Sequence, residues 1–307
     1  MSVIPNSWEL VSLFCKLFIY FGAAAIVGGS LCLWLYNDGS RRTVQSNLRY
    51  ITLGAFIGFN GALLNFFIQV GMVAGSGISG MFDWGMVSIF FDTQLGDTTF
   101  FRLAGFVIVF IAGLFYLQKI AGLDRSPVQA FYKLLNTINL AAFLLILFSF
   151  RFSGHISVLS PIAKVAIAFH FFAFAAWIGS LYPLHKLTYA EDLEFMQRAM
   201  KKFGDNAIGI VLVLIVAGGL MLWELFHSLE EIFTTAYGRA LLFKLLLVLA
   251  IFSIAALNKF RLTPAIISEG GAQYLRRSIR IEVVVAILIL VVTSYFSTIV
   301  GPPDHQM

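Results

Sequence analysis

Charge is scarce in this 307-residue sequence: Asp, Glu, Lys and Arg make up only 12% of it. A soluble domain of this length needs a more polar surface than that. Apolar residues amount to 59% and the mean hydropathy is +0.88, so lipid must solvate much of the chain. Cysteine is nearly missing too. Cys15 and Cys32 fall in one apolar run, roughly 25 Å apart along a helix. That spacing excludes a disulfide between them, and they form no paired-cysteine metal motif. Both read as small buried residues. No GxSxG, HExxH, Walker loop or dinucleotide fingerprint occurs in a fitting context, so no enzyme is expected. The N-terminus, MSVIPNSWE, has neither an early positive region nor a small-residue cleavage site. The first apolar run is therefore expected to serve as its own membrane signal.

What is present is apolar length. Eight long apolar stretches lie near 9–36, 50–74, 103–118, 134–152, 161–184, 205–226, 239–257 and 281–300, each close to the ~20 residues a spanning helix needs. The third is the shortest. The expected fold is all-α: a polytopic membrane protein of about eight transmembrane helices, forming a single transmembrane domain over 1–307.

The loops alternate in charge. Most of the 21 Lys and Arg residues fall in one set of loops, from Arg41, Arg42 and Arg49 to Arg276, Arg277 and Arg280. The other set holds only Arg102, Arg151, Lys164 and Arg239. The positive-inside rule makes the first set cytoplasmic, and an even helix count then puts both termini outside. This topological role accounts for the pI of about 9.2, and nucleic acid is not an expected partner. Half of the 16 acidic residues, among them Asp83, Asp92, Asp97, Glu230 and Glu231, fall on the outer side. Such a face either concentrates cations or is simply a hydrated rim.

Local signals add detail. The outer loop from Gly75 to Arg102 opens with Gly75, Gly77 and Gly80, and its residues 81–91 suit an interfacial position with Trp84 at headgroup level. Ala25 and Gly29 form a small-xxx-small pair for close packing. Asn65 and Gln69 share a helix face and suit interhelical hydrogen bonds. Ser160-Pro161 predicts an N-cap followed by proline at the first helical position. Gly154 suits a left-handed helix end, which leaves His155 at the turn of the hairpin RFSGHISVLSP.

The histidines are placed unevenly. His155, His227 and His305 lie at or near the outer surface, and only His185 lies at the inner end. His170 is nine residues into its helix, roughly 14 Å along it, close to mid-membrane. An ionisable group at that depth requires a cavity or a partner. His170 is therefore either a metal ligand or a core histidine bonded to a neighbouring helix. His170, Phe174 and Trp177 recur at i, i+4, i+7 on one face. Met72, Met81, Met86 and Met221 fall on the outer half. Thioether with imidazole suits Cu(I), although methionine is also ordinary membrane-helix filler. On the inner half the soft-ligand candidates are Cys32, His185, Met196 and Met200. Lys244 and Glu224 lie at similar depth on neighbouring helices and are expected to pair, because either alone is costly to bury.

Certain stretches carry a family resemblance. SGHIS and then FHFFAFAAWIGSLYPL resemble the Gly-His and His…Trp-x-Gly region of the bacterial copper-resistance D proteins (CopD). TTAYGRALLFKLLLVLAIFSIAALNKFRLTP is similar to that family's Tyr-Gly-Arg…Lys…Asn-x-x-x-x-Pro segment, and RRSIRIEVVVAILILVV with GPP resembles its terminal helix. The resemblance covers 150–303, a CopD-like core; over 1–149 it lies in helix count and hydropathy. It implies a multi-pass protein of the bacterial inner membrane that handles copper, moving it from the periplasm toward the cytoplasm. It also implies a periplasmic copper-binding partner of the CopC type. Carried onto this sequence, it marks His155 and His170 as ligands; His227 and Met221 are further metal candidates by their placement on the outer half. Trp177, Gly179, Tyr237, Lys244, Asn258 and Glu282 are its other pattern positions. The competing expectation is a b-type haem protein, because helical bundles with histidines at such depth bind haem. At most one bis-histidine haem fits, on the outer side, using two of His155, His170 and His227.

Overall fold

The computed structural model describes residues 5–36, 40–122, 129–152, 160–225 and 229–300. Among them all regular structure is helical. The elements are α1 (Ser7–Leu35), α2 (Arg41–Ala74), α3 (Trp84–Phe91), α4 (Gln94–Ala121), α5 (Gln129–Phe148), α6 (Pro161–Leu187), α7 (Leu193–Leu225), α8 (Leu229–Thr234), α9 (Ala236–Leu257) and α10 (Gly271–Tyr295). Short 3-10 turns cover Gly77–Phe82 and Ser149–Phe152, and π-turns cover Asn258–Leu262 and Phe296–Val300. All but α3 and α8 belong to eight spans long and apolar enough to cross a membrane, as expected of a multi-pass membrane protein.

Capping chemistry sets the helix starts. Asn6 and Glu9 close a capping box on α1, each side chain accepting the other's backbone N–H at 2.9 and 2.8 Å. Ser160 accepts from Ala163 N–H ahead of Pro161, so the predicted start of α6 holds. Several helices run beyond their apolar stretches. α2 starts at Arg41, capped by Ser40, and α7 starts at Leu193, because a helix continues into polar residues until a cap or breaker stops it. The third span begins at Gln94 rather than near 103, since Thr93 caps it. The loop before it is also partly helical: Gly75, at φ +67°, ends α2 in the left-handed region, and α3 follows with Asp83 capping it. No residue of α3 is buried, and Trp84 is exposed. The expected helix end at Gly154 lies outside the described residues.

The core is built on α1, which packs against α2, α5, α6 and α10. Lipid tails are as apolar as leucine, so helices in a bilayer associate through close backbone packing and polar contacts. Both are present. Ala25 sits directly over Gly54, and Gly29 packs on Ile51 and Tyr50, which places the predicted small pair at the α1–α2 seam. The tightest seam is α1–α6. A Cβ on Gly28 would strike the Gly179 backbone, and one on Gly179 would strike the carbonyl of Ala24. Ser12 then joins Asn65 and Gln69 of α2 at 3.1 and 3.3 Å, as the shared face of those two residues predicts. Asn139 of α5 reaches Ser30 at 2.8 Å.

The basic loop residues gather at one end of the bundle. There Lys202 donates to the carbonyl of Leu35 at 3.2 Å, Arg41 to that of Ala121 at 2.5 Å and Arg276 to Thr188 at 3.1 Å. Lys259 pairs with Asp205 at 2.5 Å. This is the basic end of the bundle.

The α1–α6 seam generates a stability prediction. Gly179→Ala must push α6 off α1 or distort both, and is expected to cost at least the upper part of the about 1–3 kcal/mol typical of overpacking. Gly209→Ala on α7 is the control, because a Cβ there meets nothing within 4 Å. Thermal unfolding in detergent is expected to show a large drop for the first variant and none for the second.

Candidate functional site

Helix α6 carries His170, Trp177 and His185, so its neighbours decide what each can do. The start of α6 is tied to the end of α7: the Glu224 carboxylate accepts the Ser160 N–H at 3.3 Å. Deeper in, Nδ1 of half-buried His170 lies 3.2 Å from the carbonyl oxygen of Leu214 on α7. A carbonyl only accepts, so Nδ1 carries the proton. In the neutral ring this leaves the lone pair on Nε2. Metal-binding histidines commonly have their second nitrogen fixed in this way. Gly218 lies beside the ring: a Cβ there would make an ordinary van der Waals contact with Cε1 at 3.5 Å. Leu214, Gly218 and Met221 recur at i, i+4, i+7, which places Met221 on the α7 face that meets His170.

The expected Lys244–Glu224 ion pair does not form. The ion pairs between described residues are Arg198–Glu194 and Lys259–Asp205, and Glu224 is instead used at the start of α6. The physical reason is position: Glu224 closes the last turn of α7, where a free helix N-terminus offers its carboxylate an N–H donor. His155 and His227 lie outside the described residues. Among the described residues no three His, Cys, Asp or Glu side chains come together in a way that could hold a metal ion.

A second polar centre lies nearer the basic end. Glu282 of α10 is 3% exposed, Trp177 of α6 is 2% exposed and Asn258 is 9% exposed. Trp177 Nε1 donates to Glu282 Oε1 at 2.9 Å, and Asn258 Nδ2 donates to Oε2 at 2.8 Å. The indole is braced by Phe252 of α9, stacked at 5.5 Å between ring centroids. Sequence reasoning marked all three residues but did not bring them together. A usable signal was present: Trp177 lies ten residues before the end of α6 and Glu282 eleven after the start of α10, so they share a depth measured from the basic end.

The remaining marked residues have structural partners. His185 Nε2 accepts from Arg280 Nε at 3.2 Å, so its lone pair is already used. Cys15 and Cys32 are free thiols and buried, as expected. Cys32 joins Met196 and Met200 in one buried cluster between α1, α6, α7 and α10, which gathers three of the four soft-ligand candidates of that half. Met81 packs over Gly71 and behaves as filler. Gly179 is the α1–α6 contact already described. Tyr237 is half-buried near the start of α9.

Residues 7–159 match the family model described as Copper resistance protein D-like, N-terminal domain, and residues 197–296 match Copper resistance protein D. The first match covers α1 to α5; the second holds Met221, Lys244, Asn258 and Glu282. The chain is also similar to a protein of Bacillus subtilis (strain 168) named Copper transport protein CutJ, at 25% identity over 280 residues. That alignment covers 89% of this chain and 49% of the relative, so the chain spans about half the length of the curated relative it matches. No solved structure matches. The two family matches lie on one helical bundle with residues 160–196, and so α6, between them, and the chain belongs to the copper resistance protein D family.

Proposed function

We propose that this protein transports copper in the bacterial inner membrane, moving it from the periplasm toward the cytoplasm with both termini on the periplasmic side. The observation that carries the reading is His170: an imidazole inside the bundle whose Nδ1–H is held by Leu214, so that Nε2 is free to accept a soft cation. Family membership supports copper as the cargo, and the printed name of the Bacillus relative agrees with it. The charge asymmetry of the loops supports the orientation.

In this reading the acidic outer residues draw cations to the surface. A periplasmic copper-binding protein of the CopC type delivers the ion, and His155, ahead of α6 in the sequence, takes it. The ion passes to His170, with Met221 and His227 as further ligands on the same side. Imidazole and thioether together suit Cu(I). Toward the basic end the buried Cys32, Met196 and Met200 supply the next soft donors.

Copper uptake into vesicles holding the purified protein tests the site. His170→Ala is expected to lower copper affinity and uptake at least tenfold, by comparison with the about 10–100-fold cost of removing even an outer-shell partner. Unchanged uptake would sink the site. An absorption spectrum of the same protein separates the haem alternative: a Soret band that disappears in His170→Ala would replace copper transport with haem binding.

Orientation has its own test. A cysteine placed at Ser2 or Gln306 is expected to react with a membrane-impermeant maleimide added to intact spheroplasts, against the low background of the buried Cys15 and Cys32. Labelling only after lysis would reverse the topology.

A further inference from the structure

The residue least explained by copper coordination is Glu282. Its carboxylate is a hard ligand, it is almost fully buried, and it sits within the apolar span of α10. Ionisable residues in such places are costly and usually functional. Both donors to Glu282, the Trp177 indole and the Asn258 amide, are neutral. Among the described residues no cation is bonded to it. Of the charged groups on the packed elements, Lys259 is bonded to Asp205, Arg280 to His185 and Tyr189, Arg276 to Thr188 and Lys16 to the carbonyl of Ser297, while Arg261 and Arg277 are exposed. Lys244 lies about four turns away along α9 from Asn258. On α6, Lys186 is exposed beside the Tyr182 ring.

Two further features fit a carboxyl that changes protonation state. The Oδ1 of Asn258 is buried without a hydrogen-bond partner. A half-turn of that amide exchanges its N–H for its oxygen, so Asn258 can donate to the carboxylate or accept the O–H of the neutral acid. Trp177 donates to the other oxygen in either state. Asn258 also opens a π-turn in which Thr263 N–H bonds its carbonyl at 2.8 Å. Such turns are frequent at functional sites. The turn leads at once to Lys259 and to the exposed Arg261. Asn258 is thus bonded to Glu282 and is next in the chain to Lys259, whose partner Asp205 is exposed at the basic end.

We propose that Glu282 is an intramembrane proton-binding site, loaded and unloaded from the basic end through Asn258 and held in place by Trp177. The step is a proton transfer alone: solvent supplies H⁺, the carboxylate becomes a carboxylic acid as the Asn258 amide turns, and the reverse returns H⁺ to solvent. In the transport reading, on which this role rests, the exchange is the coupling step that accompanies copper movement.

The full-length protein in proteoliposomes tests this with two readouts. Infrared difference spectra across a pH jump are expected to show a buried carboxylic-acid C=O band that is absent in Glu282→Gln and present, shifted, in Glu282→Asp. Gln keeps an acceptor for Trp177 and a donor for the turned Asn258, so that variant is expected to fold, which circular dichroism and size-exclusion chromatography check. Trp177→Phe removes one donor to the carboxylate and is expected to move the pH midpoint of the band. Copper uptake driven by an imposed pH gradient is expected to fall at least tenfold in Glu282→Gln, while Cu(I) binding stays within twofold. An unchanged infrared band in Glu282→Gln, or undiminished gradient-driven uptake, would overturn the proposal. A titrating band with no copper uptake by the unmodified protein would leave the proton site standing and remove the transport reading.

Discussion

The contact between Gly28 and Gly179 sets the terms for the rest of the molecule. In a bilayer, helices gain little by hiding apolar side chains from one another, since the solvent is equally apolar. What fixes them is close approach, where main chains meet and dispersion contacts are dense. At this seam the two backbones touch without an intervening side chain, so α6 cannot rotate or slide on α1 without a clash. Because α6 bears His170, Trp177 and His185, a contact made by two glycines fixes the depth and direction of three polar side chains that lie elsewhere on the helix.

This rigidity is not shared by the whole bundle. In their most apolar stretches, 50% of α1 and 56% of α2 are buried within the protein, against 6% of α7 and 11% of α9. The helices of the C-terminal part turn most of their apolar surface away from the protein, with Trp223, Leu246 and Phe260 among the exposed side chains. Both polar centres lie on the seam between the two regimes. His170 meets α7 through Leu214, and Trp177 meets α9 and α10 through Phe252 and Glu282. A hydrogen bond at such a boundary is held on one side and adjustable on the other.

The helical spans, their number and the gathering of basic loops at one end were legible because hydropathy and charge are local properties of the chain. Caps at Ser160 and the small pair Ala25/Gly29 were legible for the same reason. Helix ends were less so: α7 runs through Arg198, Lys201 and Lys202 before reaching its apolar stretch, and hydropathy cannot see a helix that projects beyond lipid. The Gly28–Gly179 seam was partly hidden, since nothing in either segment says which other glycine it meets. Pairing between distant segments was the weakest point. Lys244 and Glu224 were matched by depth and charge, yet Glu224 is used by the backbone of Ser160. Glu282, Asn258 and Trp177 were each marked by resemblance, but only three-dimensional packing shows that they form one network.

That network changes where the bundle's chemistry is concentrated. The histidine distribution drew attention to the half opposite the basic end, yet the best-buried Asp, Glu, Lys, Arg or His side chain among the described residues is Glu282, in the half of the protein where the only described histidine is bound to arginine. Trp177 lies seven residues beyond His170 on α6, about 10 Å along the axis, so one rigid helix touches both centres. If α6 is fixed by α1, neither centre can rearrange by moving α6. Rearrangement must come from α7 at His170, or from α9, its π-turn and α10 at Glu282. The π-turn suits this: its wider i→i+5 bond, from Thr263 N–H to the Asn258 carbonyl, lies where α9 passes into the basic loop. Motion of α10 or α9 that lengthens the Asn258–Glu282 bond would strip the carboxylate of one of its two donors, and an ionised carboxylate so exposed to an apolar surround is costly. Charge on Glu282 and the position of the C-terminal helices therefore constrain each other, while the glycine seam keeps the frame against which they move.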